Sequence, residues 1–368
     1  MINQNSSVKH CALIMAGGTG GHIFPALAIA RSLQQSGWNA QWLGSSAGME
    51  NELIGKTDIC LNLITISGLR GNGLKGWLVA PFVLLRAIYQ AVKIVNKVKP
   101  DIVIGFGGFA SGPGGVAAFL LRKPLFIHEQ NAIAGMTNKL LSKLAKKSFQ
   151  AFPNAFPKNI DSYTVGNPIR SEIINITKTK SKNKRMNVLI VGGSRGAKVF
   201  NQQLPKILSD LVLEEKINIF HQCGKNNIEQ TMINYKSNLV NDNSNVSVTE
   251  FIDDMAEVYQ WADLVICRAG ALTVSEIASV GIAAVFVPYP FAVDDHQTKN
   301  ALWLVEKNAA LLIDESRLTD CQSKTKISQL INQPEQLETM AKNAKQMAYR
   351  NATKNIVNAC ETLMKDAA

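Results

Sequence analysis

Residues 17–22 read Gly-Gly-Thr-Gly-Gly-His, a backbone almost bare of side chains with an imidazole behind it. The apolar run Cys11–Met15 before it predicts a buried strand. The stretch from Ile23 to Gln35 carries apolar residues at helical spacing and stops at Gly37. A glycine turn between strand and helix exposes amides at the positive end of a helix dipole, which suits an anion, most often a phosphate. His22 there could take a proton as a general base, or could cap the helix or touch a phosphate. The pattern returns at Val188–Ala197, "VLIVGGSRGA", with its glycine pair 175 residues after the first. A third glycine-rich stretch, "GFGGFASGPGG" (105–115), follows the apolar run 102–104 and suggests close approach of a ligand.

Three polar clusters also follow apolar runs. "RAGALTVSEIASVG" (268–281) places Glu276 behind a small-residue turn, where a carboxylate can accept both hydroxyls of a ribose while turn amides face phosphate. "HEQN" (128–131) and "DDHQTKNA" (294–301) are the others. A P-loop reading is weakened, because Gly224-Lys225-Asn226 lacks both the hydroxyl and the upstream glycine. The runs "WLGSS" and "FHQCG" end without the acid that a dinucleotide-binding fold uses on its ribose. The six cysteines are scattered, with no CxxC, which points to reduced thiols in a cytosolic compartment and away from structural zinc. The pairs Asp253-Asp254 and Asp294-Asp295 are adjacent acids on loops, which rarely cage a metal alone. No metal site is expected.

The elements that must hold these loops alternate apolar runs with helical stretches in both halves of the 368 residues. That alternation predicts an α/β protein of two doubly wound, parallel-sheet (Rossmann-like) domains facing a cleft. The joint is expected near "VGNPIR", giving domains 1–167 and 168–348, with a C-terminal helix over 349–368 packing back on the first. The lysine-rich 178–185 reads as an exposed loop. Net charge is +11, and residues 1–168 hold 16 Lys and Arg against 6 Asp and Glu, so almost the whole excess lies in the first half. Such asymmetry fits an anionic surface or substrate. The first apolar stretch is too short for a signal peptide. The nine-residue run from Trp77 to Leu85 is too short to span a bilayer, and the helix around it is expected to start near Pro81.

Nine stretches in order closely resemble the family of peptidoglycan N-acetylglucosaminyltransferases, the MurG family, glycosyltransferases of the two-domain GT-B type (family 28). They are "GGTGGH", "ISGLRG", "GFGGFASGPGG", "HEQNAIAGMTNK", "VGNPIR", "GGSRGA", "FIDDM", "RAGALTVSE" and "DHQTKNA". The resemblance implies an inverting hexosyltransferase without cofactor or bound metal. It would move N-acetylglucosamine from UDP-N-acetylglucosamine to the muramyl 4-hydroxyl of the undecaprenyl-linked acceptor lipid I, forming lipid II in cell-wall synthesis. By that likeness the backbone at Ile252 reads the uracil with Arg170 nearby, and Glu276 holds the ribose. Ser194 and the turn Ala271, Leu272, Thr273, Val274 and Ser275 hold the phosphates. Thr19, Gly20 and Gly21 close over the donor, Asn131 and Gln297 reach sugar hydroxyls, and His22 or Glu129 is the base.

A lipid-linked acceptor implies work at the cytoplasmic face of the inner membrane as a peripheral protein, beside other cell-wall proteins and with no nucleic-acid partner. Lys75, Trp77, Leu78, Phe82 and Leu85, with Leu74, Arg86 and Lys93, then read as an apolar and basic patch for an anionic leaflet, with Lys139, Lys143, Lys146 and Lys147 near it. Two other readings share these features: a different GT-B sugar-nucleotide enzyme (an epimerase or glycolipid transferase), and a non-catalytic membrane-docking scaffold.

Overall fold

The computed structural model describes residues 10–66, 73–178, 185–193, 196–239 and 245–366, with backbone alone over 73–78. The chain divides into two compact units, Met1–Arg170 with Asn351–Ala368, and Ser171–Arg350.

Unit 1 has strands β1 (Cys11–Met15), β2 (Asn39–Ser45), β3 (Cys60–Ile64), β4 (Ile102–Gly105), β5 (Leu125–Glu129), β6 (Lys147–Gln150) and β7 (Tyr163–Thr164). They form one parallel sheet in the order β3-β2-β1-β4-β5-β6-β7. Its helices are α1 (Gly20–Gln35), α2 (Glu50–Gly55), α3 (Gly73–Val98), α4 (Ser111–Leu120) and α5 (Met136–Leu141). The central strands are apolar on both faces because both faces are covered. Ala12 and Ile14 point into one core with Ile23, Ile29 and Leu33 of α1, and Leu13 and Met15 point into the other with Ala87, Ala91 and Val95 of α3.

Unit 2 repeats the plan with β8 (Met186–Val191), β9 (Ile217–Gln222), β10 (Val246–Thr249), β11 (Leu264–Cys267), β12 (Ala283–Phe286) and β13 (Ala310–Leu312), parallel in the order β10-β9-β8-β11-β12-β13. Its helices are α6 (Ser171–Ile174), α7 (Lys198–Leu213), α8 (Ile228–Lys236), α9 (Met255–Trp261), α10 (Ala271–Val280), α11 (His296–Val305), α12 (Cys321–Ile331) and α13 (Pro334–Met347). The last helix, α14 (Ala352–Lys365), returns to unit 1, where Ile356, Val357, Cys360 and Leu363 share the α1 core.

Helix α3 departs from expectation in two ways. It runs unbroken through Pro81 rather than starting there. Pro81 is exposed, so water can solvate the carbonyl that its missing N–H leaves unpaired. The span Val79–Val98 is also long and apolar enough to cross a membrane by length and composition, which the shorter run 77–85 did not reveal. Its Ala87, Ala91 and Val95 are nevertheless fully buried in unit 1. The opposite face turns Val79, Phe82, Leu85 and Tyr89 to solvent, with Phe82 74% and Leu85 64% exposed. The side chains of Leu74, Lys75, Trp77 and Leu78 lie outside the described residues.

Candidate active site

In each sheet the strand order reverses between two neighbours, β1 and β4 in unit 1 and β8 and β11 in unit 2. Ligands of doubly wound sheets bind beyond the carboxyl ends of the strands at such a point. The glycine-rich stretches sit there: 17–21 after β1, 107–115 after β4, Gly192, Gly193 and Gly196 after β8, and Gly270 after β11.

In unit 1 the first turn is built differently from a simple anion cradle. Gly18 has φ +92°, where a side chain would be strained, and its amide donates to Oε2 of Glu50 at 3.1 Å. Glu50 is fully buried, and its Oε1 accepts from the Ser45 amide (2.6 Å) and hydroxyl (2.8 Å) at the end of β2. A protein carboxylate thus takes the amide that a phosphate was expected to use. Three glycines make room for it, since a Cβ at Gly17, Gly44 or Gly48 would lie 2.6, 2.6 and 1.9 Å from atoms of Glu50. The third glycine stretch likewise lies close against protein. A Cβ on Gly108 would fall 2.2 Å from the Gly17 carbonyl oxygen, and one on Gly107 would fall 3.2 Å from the His22 ring. Ser111 fastens the pair, its hydroxyl lying within hydrogen-bond distance of the carbonyls of both Gly107 (2.6 Å) and Met15 (3.0 Å).

Thr19 is the extended N-cap of α1 and is exposed. Gly20 and Gly21 follow in the first turn, whose amides precede any intrahelical acceptor. His22 is half-buried and its ring lies against Gly107. Arg170, expected near the uracil, stands with its guanidinium 5.9 Å from the Phe24 ring of α1.

The "HEQN" stretch does not present four side chains to a ligand. Glu129 is 2% exposed; Oε1 accepts from the Asn131 amide (2.9 Å) and side chain (3.3 Å), and Oε2 from the Gly135 amide (3.1 Å) and Asn138 Nδ2 (2.8 Å). Expected as one of two possible bases, it instead ties down the loop to α5. His128 is fully buried, with Nδ1 facing Gln130 Nε2 (3.0 Å) and Nε2 facing the Gly166 carbonyl (2.9 Å). The carbonyl requires a donor, so Nε2 carries the proton and Nδ1 accepts. Burial pushes the His128 pKa down to about 4 against the opposing pull of that carbonyl bond. Only Asn131 of the four is half-exposed, as a sugar contact must be.

In unit 2 the turns are backed by neutral donors. Gln222 Nε2 donates to the Gly193 carbonyl (3.2 Å), and Asn201 Nδ2 to that of Cys223 (2.9 Å). A Cβ on Gly196 would lie 2.0 Å from the Cys223 carbonyl oxygen. Ser194 lies outside the described residues. Helix α10 starts after Gly270, and its first-turn amides, Ala271, Leu272 and Thr273, are the ones suited to phosphate. The two remaining expected phosphate contacts are used internally: the Val274 amide donates to the Gly270 carbonyl (2.9 Å) and the Ser275 hydroxyl to that of Ala271 (2.9 Å). Glu276 is half-buried and held by the Tyr259 hydroxyl at 3.0 Å. Ile252 is buried at the approach to α9, whose first amides, Ala256 and Glu257, are capped by Asp254. Gln297 accepts from the Tyr289 amide at 2.9 Å, so its side-chain oxygen is engaged within unit 2.

Sequence reasoning gave no role to three residues that build these loops. Glu50 sits in an unremarkable "GMENE", and its only signal is the glycines at 44 and 48. Arg268 donates through Nη1 to the carbonyls of Val287 (3.0 Å) and Pro288 (3.1 Å), pairs with Glu315, and lies 4.8 Å over the Phe200 ring, so one side chain joins the ends of β11 and β12. Lys178, read as part of an exposed loop, caps the C-terminal end of α9 through the carbonyls of Tyr259, Gln260 and Ala262, and its burial lowers its pKa. Residues 179–184 lie outside the described residues. Among the described residues no three His, Cys, Asp or Glu side chains group as metal ligands.

Two doubly wound units with glycine turns at both switch points have the GT-B architecture, a fold of nucleotide-sugar enzymes. The models of the glycosyltransferase family 28 N-terminal and C-terminal domains match residues 12–150 and 187–356. The chain belongs to that family and is a hexosyltransferase. It is 49% identical over 361 residues to the UDP-N-acetylglucosamine--N-acetylmuramyl-(pentapeptide) pyrophosphoryl-undecaprenol N-acetylglucosamine transferase of Marinobacter nauticus, covering 97% of this chain and 98% of the relative. The enzyme of that name from Shewanella denitrificans is 47% identical over 96% of this chain and 97% of its own length. The crystal structure of Acinetobacter baumannii MurG superposes with a TM-score of 0.83 at 44% identity, over 96% of this chain and 99% of that one.

Proposed function

We propose that this chain moves N-acetylglucosamine from UDP-N-acetylglucosamine to the 4-hydroxyl of the muramyl sugar in lipid I, with inversion, to form lipid II. The observation that carries it is the near full-length 49% identity to a relative of that activity. Unit 2 would hold the nucleotide, with the ribose on Glu276 and the diphosphate facing the first turn of α10. Departure of UDP places negative charge on the phosphate, and helix amides aimed there stabilise it without reorganising. Inversion needs a base on the far face of the sugar to take the acceptor proton. His22 suits that task, because the residue is only half-buried while the oxygens of Glu129 are buried and occupied. Thr19, Gly20, Gly21, Asn131 and Gln297 would surround the sugar, and Arg170 and Ile252 would meet the base of the nucleotide.

The exposed apolar face of α3 supports docking at the cytoplasmic face of an anionic membrane, where the acceptor's lipid tail lies. Phe82, Leu85 and Tyr89 would enter the headgroup boundary beside Arg86 and Lys93. Labelled UDP-N-acetylglucosamine incubated with and without lipid I tests the main reading. Label should pass to lipid only when lipid I is present. Release of UDP without acceptor would mean an epimerase-like enzyme, and vesicle binding without turnover would mean a docking scaffold.

A further inference from the structure

We infer that Glu50 is a positioning residue for the proposed transfer, an internal anion that sets the glycine turn carrying Thr19 and His22. The inference rests on the reading of His22 as the base. Glu50 is the first residue of α2, on a different strand–helix unit from the turn it holds. Its two carboxylate oxygens divide the work. Oε1 is anchored to the end of β2 through the Ser45 amide and hydroxyl, and Oε2 receives the Gly18 amide. The peptide plane of Gly18 is therefore referenced to the rigid sheet, one residue before the extended N-cap Thr19 and four before His22.

The surroundings are shaped for this carboxylate. A side chain at Gly17, Gly44 or Gly48 would occupy its volume, so the three bare positions and the acid form one device. From the other side the turn is pressed by Gly107 and Gly108, where added Cβ atoms would meet the His22 ring and the Gly17 carbonyl. The loop is thus gripped between a buried charge and a bare backbone, and His22 lies at the point of contact. A carboxylate at the Gly18 amide also disfavours a phosphate there, leaving this turn to a neutral sugar and its hydroxyl. A neutral isostere changes the hold, because a Gln side chain accepts through one oxygen and turns its amide hydrogens toward one of the backbone donors.

The test uses the full chain and its Glu50→Gln variant, with Ser45→Ala as a milder second variant. Hydrogen exchange of the Gly17–Gly21 amides, steady-state transfer, and thermal unfolding are measured on each. The expected result for Glu50→Gln is at least tenfold faster exchange at Gly18 and about a tenfold lower kcat. The donor KM should stay within twofold, since the proposed ribose and diphosphate contacts, Glu276 and the first turn of α10, lie on unit 2. Ser45→Ala should show both effects in the same direction, two- to threefold. If Glu50→Gln fails to fold, Ser45→Ala alone decides by those same two readouts. Unchanged exchange at Gly18, or a kcat within twofold of the parent in a folded variant, overturns the inference. A rise in KM with kcat preserved also overturns it, since that is the mark of lost binding rather than misplaced chemistry. If the unaltered chain transfers no sugar to lipid I, the functional reading fails, and the exchange measurement still decides whether Glu50 sets the turn.

Discussion

The two units contain the same strand–glycine turn–helix device, yet they use it oppositely. In unit 2 the turns are supported by Gln222, Asn201 and Arg268, which are neutral or cationic groups. In unit 1 the equivalent turn is already occupied by the buried carboxylate of Glu50. The local fold sets where a ligand binds, and the charge of the residue behind the loop decides what kind. On the proposed reading the phosphates go to unit 2, where no carboxylate stands behind the described part of the first glycine turn.

The sharpest way to break this division is at the proposed base. His22→Ala should lower kcat by ~10²–10⁴-fold and remove the acidic limb of the pH–rate profile. That limb exists because a protonated imidazole cannot accept the acceptor's proton. Glu129→Gln should keep the limb and instead lower stability in urea by ~1–3 kcal/mol, the scale of a buried donor left facing a donor. Loss of the limb in Glu129→Gln would reverse the assignment.

Both units carry a buried neutral histidine, so acid should weaken them alike. Desolvation lowers the pKa of His128 to about 4 and of His221, bonded to the Tyr235 hydroxyl at 3.0 Å, to about 3. In the unfolded chain each titrates near 6.5, so between that pH and about 4 the unfolded state binds the extra protons. Stability is therefore intact above pH 6.5 and falls as pH drops, on the order of 1.4 kcal/mol per pH unit for each group. Urea unfolding at pH 7, 6 and 5 measures this, and a transition that holds constant to pH 5 would contradict it.

Two smaller effects separate the units by ligand. Glu276→Ala should raise the donor KM about tenfold with kcat little changed, because ribose contacts are alike in ground and transition states. Steady-state kinetics should show the whole effect in KM. In unit 1, Phe82→Ser with Leu85→Ser should weaken co-sedimentation with anionic vesicles severalfold while leaving UDP affinity unchanged. Equal binding by the variant would make the apolar face of α3 a surface without a membrane role.

Periodicity and turn chemistry were enough to read the fold, since buried parallel strands must be apolar on both faces and glycine must stand where the chain turns tightly beside another backbone. The order of nine short stretches carried the family. Helix α3 was misread at its start because a proline removes one helical hydrogen bond without having to end the helix, as Pro25 of α1 and Pro205 of α7 also show. Whether the helix continues is decided by tertiary packing. The site was legible only in part for the same reason. "HEQN" looks like four ligand contacts, and nothing local reveals that Glu129 and His128 turn inward to bind Gly135, Asn138 and Gly166. Residue type and spacing along the chain determined which loops stand at the strand ends. Which side chains those loops keep, and which they spend on one another, was decided by packing, because Glu50 meets Gly18 and Gly107 meets His22 across 32 and 85 positions of sequence that only the folded sheet brings together.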